Sequence, residues 1–436
     1  MDIKKITIEN WQCIDFLSIS FEKLMILIGE GNRGKTSVIN ALFTVLGCRD
    51  VKEKDFKNKN KDIVIKLKYF QGKDGFLTLK YVKKIDMGEE HYLIDHGNEK
   101  RLTEEEFEEV VDTMKVVKMS SKEMKVKDSL EKIRDIHNLN LIKNEVINKD
   151  LESKINFLSE NEVSYSLQRR ILFSFFKNVL EEMKNNDEKK ENRIYNTVLI
   201  FEEPELYLSP QASRELYSIL IKLANIGIQI IIETHSSYFV GIKQYRSICL
   251  IKKILGEVVA FQHTGKLFNG DEIKNFNMNY WINPDRGEMF FAKKVILVEG
   301  QTDKIALSFL AKKLGVYKYT YSIIECGSKS IVPQFIKVLN AYKIPYVAVY
   351  DKDNHGWRTP EELENSNIKN KKIKKIINKH VGSWIEFEND IEEEIYCEKR
   401  ERKNYKNKPY YTLQKISEND YIISERLIKK IKKIYE

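Results

Sequence analysis

Hydrophobic positions along the chain fall into two rhythms. Residues 1–50 read as two alternating strands, a loop and an amphipathic helix, and residues 61–100 alternate like antiparallel strands in "DIVIKLKYF" and "FLTLKYV". Residues 101–192, rich in Glu, Lys, Leu and Asn, carry a helical pattern. Unbroken apolar runs then appear: Val198–Phe201, "IQIII" before Glu233, Val295–Val298 and "YVAVY" before Asp351. Such runs belong to strands buried on both faces, as in parallel sheets. From 293 onward strands and helices alternate, which predicts a parallel α/β sheet. A boundary is expected at 264–288, where Asn, Gly and Pro are scattered, and the Lys/Tyr-rich end, 397–436, is expected to finish in a helix. No internal repeat or extended low-complexity segment interrupts this order.

Composition narrows the class. With 42% hydrophobic and 32% charged residues over 436 positions, the chain has material for two or three packed domains. No apolar run approaches the roughly 18–20 residues of a membrane span. Met1 leads straight into a strand pattern, so no signal peptide is expected. Cys13, Cys48, Cys249, Cys326 and Cys397 form no CxxC pair. That argues against a zinc site or disulfide frame and for a cytoplasmic location. The net charge of +9 suits a nucleic-acid partner, but the excess is mostly lysine, and the run Lys371–Lys375 reads as a solvated helix face rather than a specific DNA contact.

The first chemistry-bearing stretch is "ILIGEGNRGKTSVINAL", with Gly29-x-x-x-x-Gly34-Lys35-Thr36 between an apolar strand and a helix. In that context the loop binds ATP. Backbone N–H groups of Gly29, Asn32, Gly34 and their neighbours cradle phosphates, Lys35 meets the β/γ-phosphates, Thr36 reaches Mg²⁺ and Ser37 follows at the helix start. A second stretch, "VLIFEEPE", ends a buried strand in acids. Glu202 stands where such sites usually have Asp and is assigned to the Mg²⁺ shell. Glu203 is the candidate base that activates water, and Glu205 reads as structural. A third strand ends at Thr234-His235-Ser236, from which His235 can reach the γ-phosphate.

These residues together resemble the SMC-like branch of ABC ATPases. The resemblance implies a head with a mixed sheet and a helical insertion at about 101–192, and dimerisation of two heads around ATP. It also implies an LSGGQ-like signature, for which Ser164-Tyr165-Ser166-Leu167-Gln168 is the match, with Ser166 in place of a glycine. Ser164 and Gln168 then face nucleotide, unless Ser164 is an ordinary helix cap. Residues 101–163 are too short for a long coiled coil.

The second constellation begins at "FFAKKVILVEGQTDK". Glu299 follows an apolar strand, Asp303 lies one turn later, and a further strand ends in Asp351-Lys352-Asp353. Parallel strands present their carboxyl ends on one edge, so these acids are expected to converge. Four carboxylates crowd together only around a cation, and oxygen ligands of this kind select Mg²⁺ or Mn²⁺. Two such ions suit phosphodiester cleavage. Between them, Gly327-Ser328-Lys329 follows an intervening strand and opens a helix.

This series resembles the TOPRIM fold of topoisomerases, bacterial primases and the OLD (overcoming lysogenization defect) nucleases. Placed after an ABC-type head, it looks most like an OLD protein. That resemblance divides the chain into an ATPase domain at 1–263, a linker at 264–289 and a Rossmann-like TOPRIM domain at 290–436 with a basic helical tail. It implies metal ligation by Glu299, Asp303, Asp351 and Asp353, a further acid at Glu392 with Asp390 next, and a transition-state lysine at Lys408. It also implies an ATP-regulated, Mg²⁺-dependent DNA endonuclease with a two-metal site. The expected setting is anti-phage defence or DNA repair, as a homo-oligomer, with a neighbour-encoded helicase or defence protein as a possible partner. Asp303 stands where many members have Glu, and the chain is shorter than typical members. Two alternatives stay open. A primase or topoisomerase would share the TOPRIM acids, yet no zinc ribbon is seen and there is little room for DNA-gate domains. An ATP-switched sensor would bind without cleaving.

Overall fold

The computed structural model describes residues 2–31, 34–72, 75–85, 88–120, 126–137, 145–185, 197–275, 284–399 and 407–436. By internal contact the chain forms two compact units, Met1–Val240 with Arg246–Gln262, and Gly241–Tyr245 with His263–Glu436. Among the described residues no helix is long and apolar enough to cross a membrane, and none of the five cysteines is paired.

The first unit holds two six-stranded sheets. One is antiparallel, in the order β2 (Ile14–Ser20), β1 (Asp2–Trp11), β4 (Ile63–Phe70), β5 (Phe76–Lys83), β6 (Glu89–Asp95), β7 (Asn98–Arg101). Alternation decides which face is covered: Ile3, Ile6 and Ile8 of β1 point inward with Ile63, Ile65 and Leu67 of β4. The second sheet runs β12 (Glu257–Gln262), β11 (Ile248–Ile254), β3 (Leu24–Ile28), β10 (Gln229–Glu233), β9 (Thr197–Glu202), β8 (Lys115–Ser120). It is mixed, because all its pairs are parallel except β11 with β12. Every residue of β3 and β10 is buried, as expected of central parallel strands. Helices α1 (Lys35–Val45), α2 (Glu104–Asp112), α3 (Val126–His137), α4 (Glu145–Glu160), α5 (Tyr165–Asn185) and α6 (Pro210–Asn225) complete the unit. The segment read as a helical insertion therefore also holds a strand. β8 is short, with Val116 and Val117 between lysines, and only its pairing with β9 makes it a strand.

The second unit is built on a fully parallel sheet, β14 (Tyr321–Glu325), β13 (Lys294–Val298), β15 (Tyr346–Asp351), β16 (Gly382–Phe387). Short helices α7 (Gly270–Asn275) and α8 (Pro284–Gly287) precede it. The crossovers are α9 (Gln301–Lys313), α10 (Val332–Ala341) and α11 (Pro360–Ile376), followed by α12 (Ile391–Tyr396), α13 (Lys408–Ser417) and α14 (Glu425–Tyr435). Part of the stretch read as a linker packs here: Glu272 takes the Lys337 ammonium at 2.7 and 2.8 Å. The basic tail is no loose appendage. Leu427, Ile431, Ile434 and Tyr435 recur at helical spacing in α14, and they join Leu307 and Leu310 of α9 in the core while Lys429, Lys432 and Lys433 stay outside.

Candidate active sites

The loop between β3 and α1 owes its shape to two glycines. Gly29 has φ +148° and Gly34 φ +109°, conformations that side chains disfavour. A Cβ on Gly29 would drive into the Ile251 carbonyl, and one on Gly34 would lie 2.9 Å from a Val258 methyl. Lys35 is only 3% exposed, and its ammonium donates to the carbonyls of Gly29 and Glu30, both at 3.0 Å. Ser37 turns toward the first sheet, with its carbonyl accepting from Trp11 Nε1 at 2.8 Å. Asn32 lies outside the described residues.

Acids gather at the ends of β9 and β10. Glu202 and Glu233 are register partners on these parallel strands. Lys118 of β8 lies 3.0 Å from Glu202. Glu203 has φ +45°, and its N–H donates to the Glu233 carbonyl at 2.7 Å. That turn sets its carboxylate 4.0 Å from His235 Nε2. Glu205 accepts from the Thr234 hydroxyl at 2.9 Å and the His235 N–H at 2.8 Å, so it shapes the loop that carries His235. Burial pushes the Glu205 carboxyl above its ordinary pKa.

Glu233 is the residue that the motifs missed. It is 4% exposed and accepts the Thr36 hydroxyl at 2.8 Å. Burial raises its pKa; the Thr36 bond and the Lys35 charge oppose this, while Glu202 and Glu203 add to it. A carboxylate closing a fully buried strand was the signal available. Ser164, by contrast, caps α5: its hydroxyl accepts the Leu167 N–H at 3.4 Å and its carbonyl the Gln168 N–H at 3.0 Å. Gln168 bonds the Val126 N–H at 3.4 Å and the Val163 carbonyl at 3.0 Å, which ties α5 to the start of α3.

The second site sits at the carboxyl ends of β13 and β15. Glu299 Oε1 accepts the Asp351 N–H at 3.0 Å, which links the two strand ends. Asp303 lies in the first turn of α9 and accepts the Gly300 N–H at 3.0 Å. Glu392, 2% exposed in α12, meets Lys408 at 3.0 Å. Asp390 caps α12 through the Glu393 N–H at 2.8 Å. The buried His355 bridges Glu393 at 3.0 Å and Asp390 at 3.5 Å and stacks on Trp357. His355, too, went unassigned in the sequence, where nothing tells a core histidine from a working one.

Electrostatics place Glu299, Asp303, Asp351 and Glu392 in one neighbourhood. Burial pushes Asp303 up to about 8, and the Glu299 charge adds to it. Asp351 is raised by burial and then by Asp303, Glu299, Glu392 and Asp390. Burial likewise raises Glu299 and Glu392. Among the described residues no three acid, imidazole or thiol side chains are already arranged to hold an ion. The chemistry of this set nonetheless fits a divalent cation. Glu299 and Glu392 add to the raised pKa of Asp303 and Asp351, and the buried Oδ1 of Asp351 has no hydrogen-bond partner.

Asp353 does not fit that set. Both its oxygens are taken, Oδ1 by Arg358 at 2.6 Å and Oδ2 by Lys329 and by Ser366 at 2.8 Å. Burial works to raise its pKa, but Lys329, Ser366 and Arg358 together hold the carboxyl below its ordinary value.

Comparison with known proteins assigns both units. The family model described as "AAA ATPase domain" matches residues 1–116 and 92–240, more than half of the 436. The model "Overcoming lysogenization defect protein-like, TOPRIM domain" matches residues 290–353. The chain belongs to the AAA ATPase family and carries an OLD-like TOPRIM domain. It is 33% identical over 161 residues to the OLD nuclease of Thermus scotoductus, covering 36% of this chain and 30% of that one. It is 26% identical over 196 residues to the Old nuclease of Escherichia phage P2, covering 43% and 33%. The chain thus matches about a third of the length of these relatives. Similar solved structures include the SMC head domain from Thermotoga maritima, with TM-score 0.39, 14% identity, and 60% of this chain and 99% of that one covered. Another is an SmcHead bound to the C-winged helix domain of ScpA, with TM-score 0.41, 13% identity, and 60% and 97% covered. In the AAA ATPase head, Gly29 and Gly34 lie in the turn after β3, Lys35, Thr36 and Ser37 open α1, and Glu202, Glu203 and His235 lie on β9 or in the turns after β9 and β10. In the TOPRIM domain, Glu299, Asp303 and Asp351 lie on the matched segment, and Glu392 and Lys408 lie beyond it.

Proposed function

We propose that this protein is an ATP-regulated, metal-dependent DNA endonuclease. One observation carries the reading: four carboxylates, Glu299, Asp303, Asp351 and Glu392, meet at the end of a parallel sheet with Asp303 and Glu392 buried, and the buried Oδ1 of Asp351 has no hydrogen-bond partner. A bound Mg²⁺ or Mn²⁺ supplies an activated water and stabilises the leaving oxygen of a phosphodiester. The chain's own residues do the rest. Glu299 fixes the end of β15 through the Asp351 N–H. Asp303 is pinned by the first turn of α9. Lys408 balances Glu392 and stands near enough to offset charge developing on phosphate.

The head reads ATP. Lys35 and the N-terminus of α1 meet phosphates, Thr36 and Glu202 face Mg²⁺, and Glu203 orients and deprotonates the attacking water with His235 beside it. Two heads close on ATP in a homo-oligomer, and nucleotide state sets access to DNA. Ser164 and Gln168 contribute to that interface through the start of α5. Anti-phage defence or repair in the cytoplasm, with a neighbour-encoded partner, is the setting this activity suits.

Supercoiled plasmid tests the reading, with wild type and Asp351→Ala, Mg²⁺ or Mn²⁺, with and without ATP. Metal-dependent nicking or linearisation that disappears in the variant is expected. Wild type that leaves plasmid intact in every lane, with ATP turnover preserved, would overturn intrinsic cleavage in favour of an ATP-switched binding module.

A further inference from the structure

Lys329 stands inside the acid site. It follows the turn after β14, and its side chain is 6% exposed. An ammonium has three protons to donate. Here they go to the Asp353 carboxylate, the Asp351 carbonyl and the Ser366 hydroxyl, the last at 3.1 Å. The same nitrogen lies 3.5 Å from Glu299 Oε1. Lys329 thus spans the acids that follow β13 and β15, and it also grips the backbone on which Asp351 is mounted. Arg358 closes the other side of Asp353 at 2.6 Å.

Two neighbouring groups of acids are therefore treated differently. Asp351, beside Glu299, Asp303 and Glu392, has a buried Oδ1 with no hydrogen-bond partner. Asp353 already has its positive charge, with both oxygens taken by Lys329, Arg358 and Ser366. An ion bridging Asp353 would have to displace a buried ammonium whose three donors are all bonded. Stripping a buried charge of its partners is strongly destabilising.

We propose that Lys329 is a built-in cation that takes the place of a second metal. The site then holds one divalent ion, among Glu299, Asp303, Asp351 and Glu392. Lys329 is a positioning residue: it neutralises Asp353 and fixes the carbonyl of Asp351. This inference rests on the metal-dependent reading above and replaces the two-ion form expected from sequence.

Isothermal titration of the nucleotide-free full chain with Mn²⁺ tests it. Ions bound by wild type but not by Asp351→Asn are counted to this site, so any ion bound elsewhere drops out of the difference. A difference of one is expected. A difference of two overturns the role of Lys329 and leaves the metal-dependent nuclease standing. A difference of zero overturns the metal reading itself. In Lys329→Met, checked for folding by circular dichroism, the place of the ammonium beside Asp353 Oδ2 and Glu299 Oε1 should admit another ion, raising the count by one, while Arg358 keeps Asp353 Oδ1. A folded Lys329→Met that still binds one ion contradicts the proposal. Lys329→Arg keeps the charge and should keep the count at one. Should Lys329→Met fail to fold, the wild-type difference still decides.

Discussion

Asp303 is a carboxyl whose surroundings favour its protonated form. Its pKa in the fold, about 8, is well above the roughly 3.9 of an unfolded chain. Between about pH 4 and 8 the folded protein therefore holds a proton that the unfolded chain has lost. Stability from this group is greatest at the acid end and falls as pH rises through that window. A metal binding here would expel the proton, so Mn²⁺ affinity should climb with pH through that window. Titrations at pH 6, 7 and 8 check this, and Asp303→Asn should lessen the rise. At this scale the sequence was legible at the strand-ending acids Glu202, Glu299 and Asp351, although Glu233, which also closes an apolar strand, was passed over. It was opaque wherever role depends on a partner far along the chain. Nothing near Lys329 announces Asp353, and nothing near Glu233 announces Thr36, 197 positions away.

Elements bring these residues together by register. Val347 and Ala348 of β15 pair with Ser383 and Trp384 of β16, and Asp351 faces Phe387 at the edge where the acids stand. Gly382, at the start of β16, keeps that register possible, because a Cβ there would overlap the Tyr346 ring. That ring cannot swing aside: it is buried, and its hydroxyl bonds Asn340 at 3.0 Å and the Asn378 N–H at 3.3 Å. Gly382→Ala should therefore cost about 1–3 kcal/mol in a denaturant melt, with metal affinity reduced as β15 shifts. An unchanged melt would show that the ring has room. The apolar runs made the parallel strands readable in advance. β8 was hidden because six residues after a helical pattern acquire strand identity only from β9. α14 was undervalued because its lysines conceal four core positions.

The whole molecule carries two acid sites in two compact units, each with its own sheet and core. The division into an ATPase head and an OLD-like TOPRIM domain was legible because each motif sits in the strand-turn-helix setting its chemistry requires. On the proposed function the two sites do separate chemistry. ATP hydrolysis and metal-dependent plasmid cleavage, recorded side by side for wild type, Lys35→Ala and Asp351→Ala, all verified as folded, test this. A crossed result is expected: Lys35→Ala loses ATP binding and turnover but cleaves as wild type does without ATP, and Asp351→Ala loses cleavage but turns over ATP. Loss of both activities in each folded variant would contradict it.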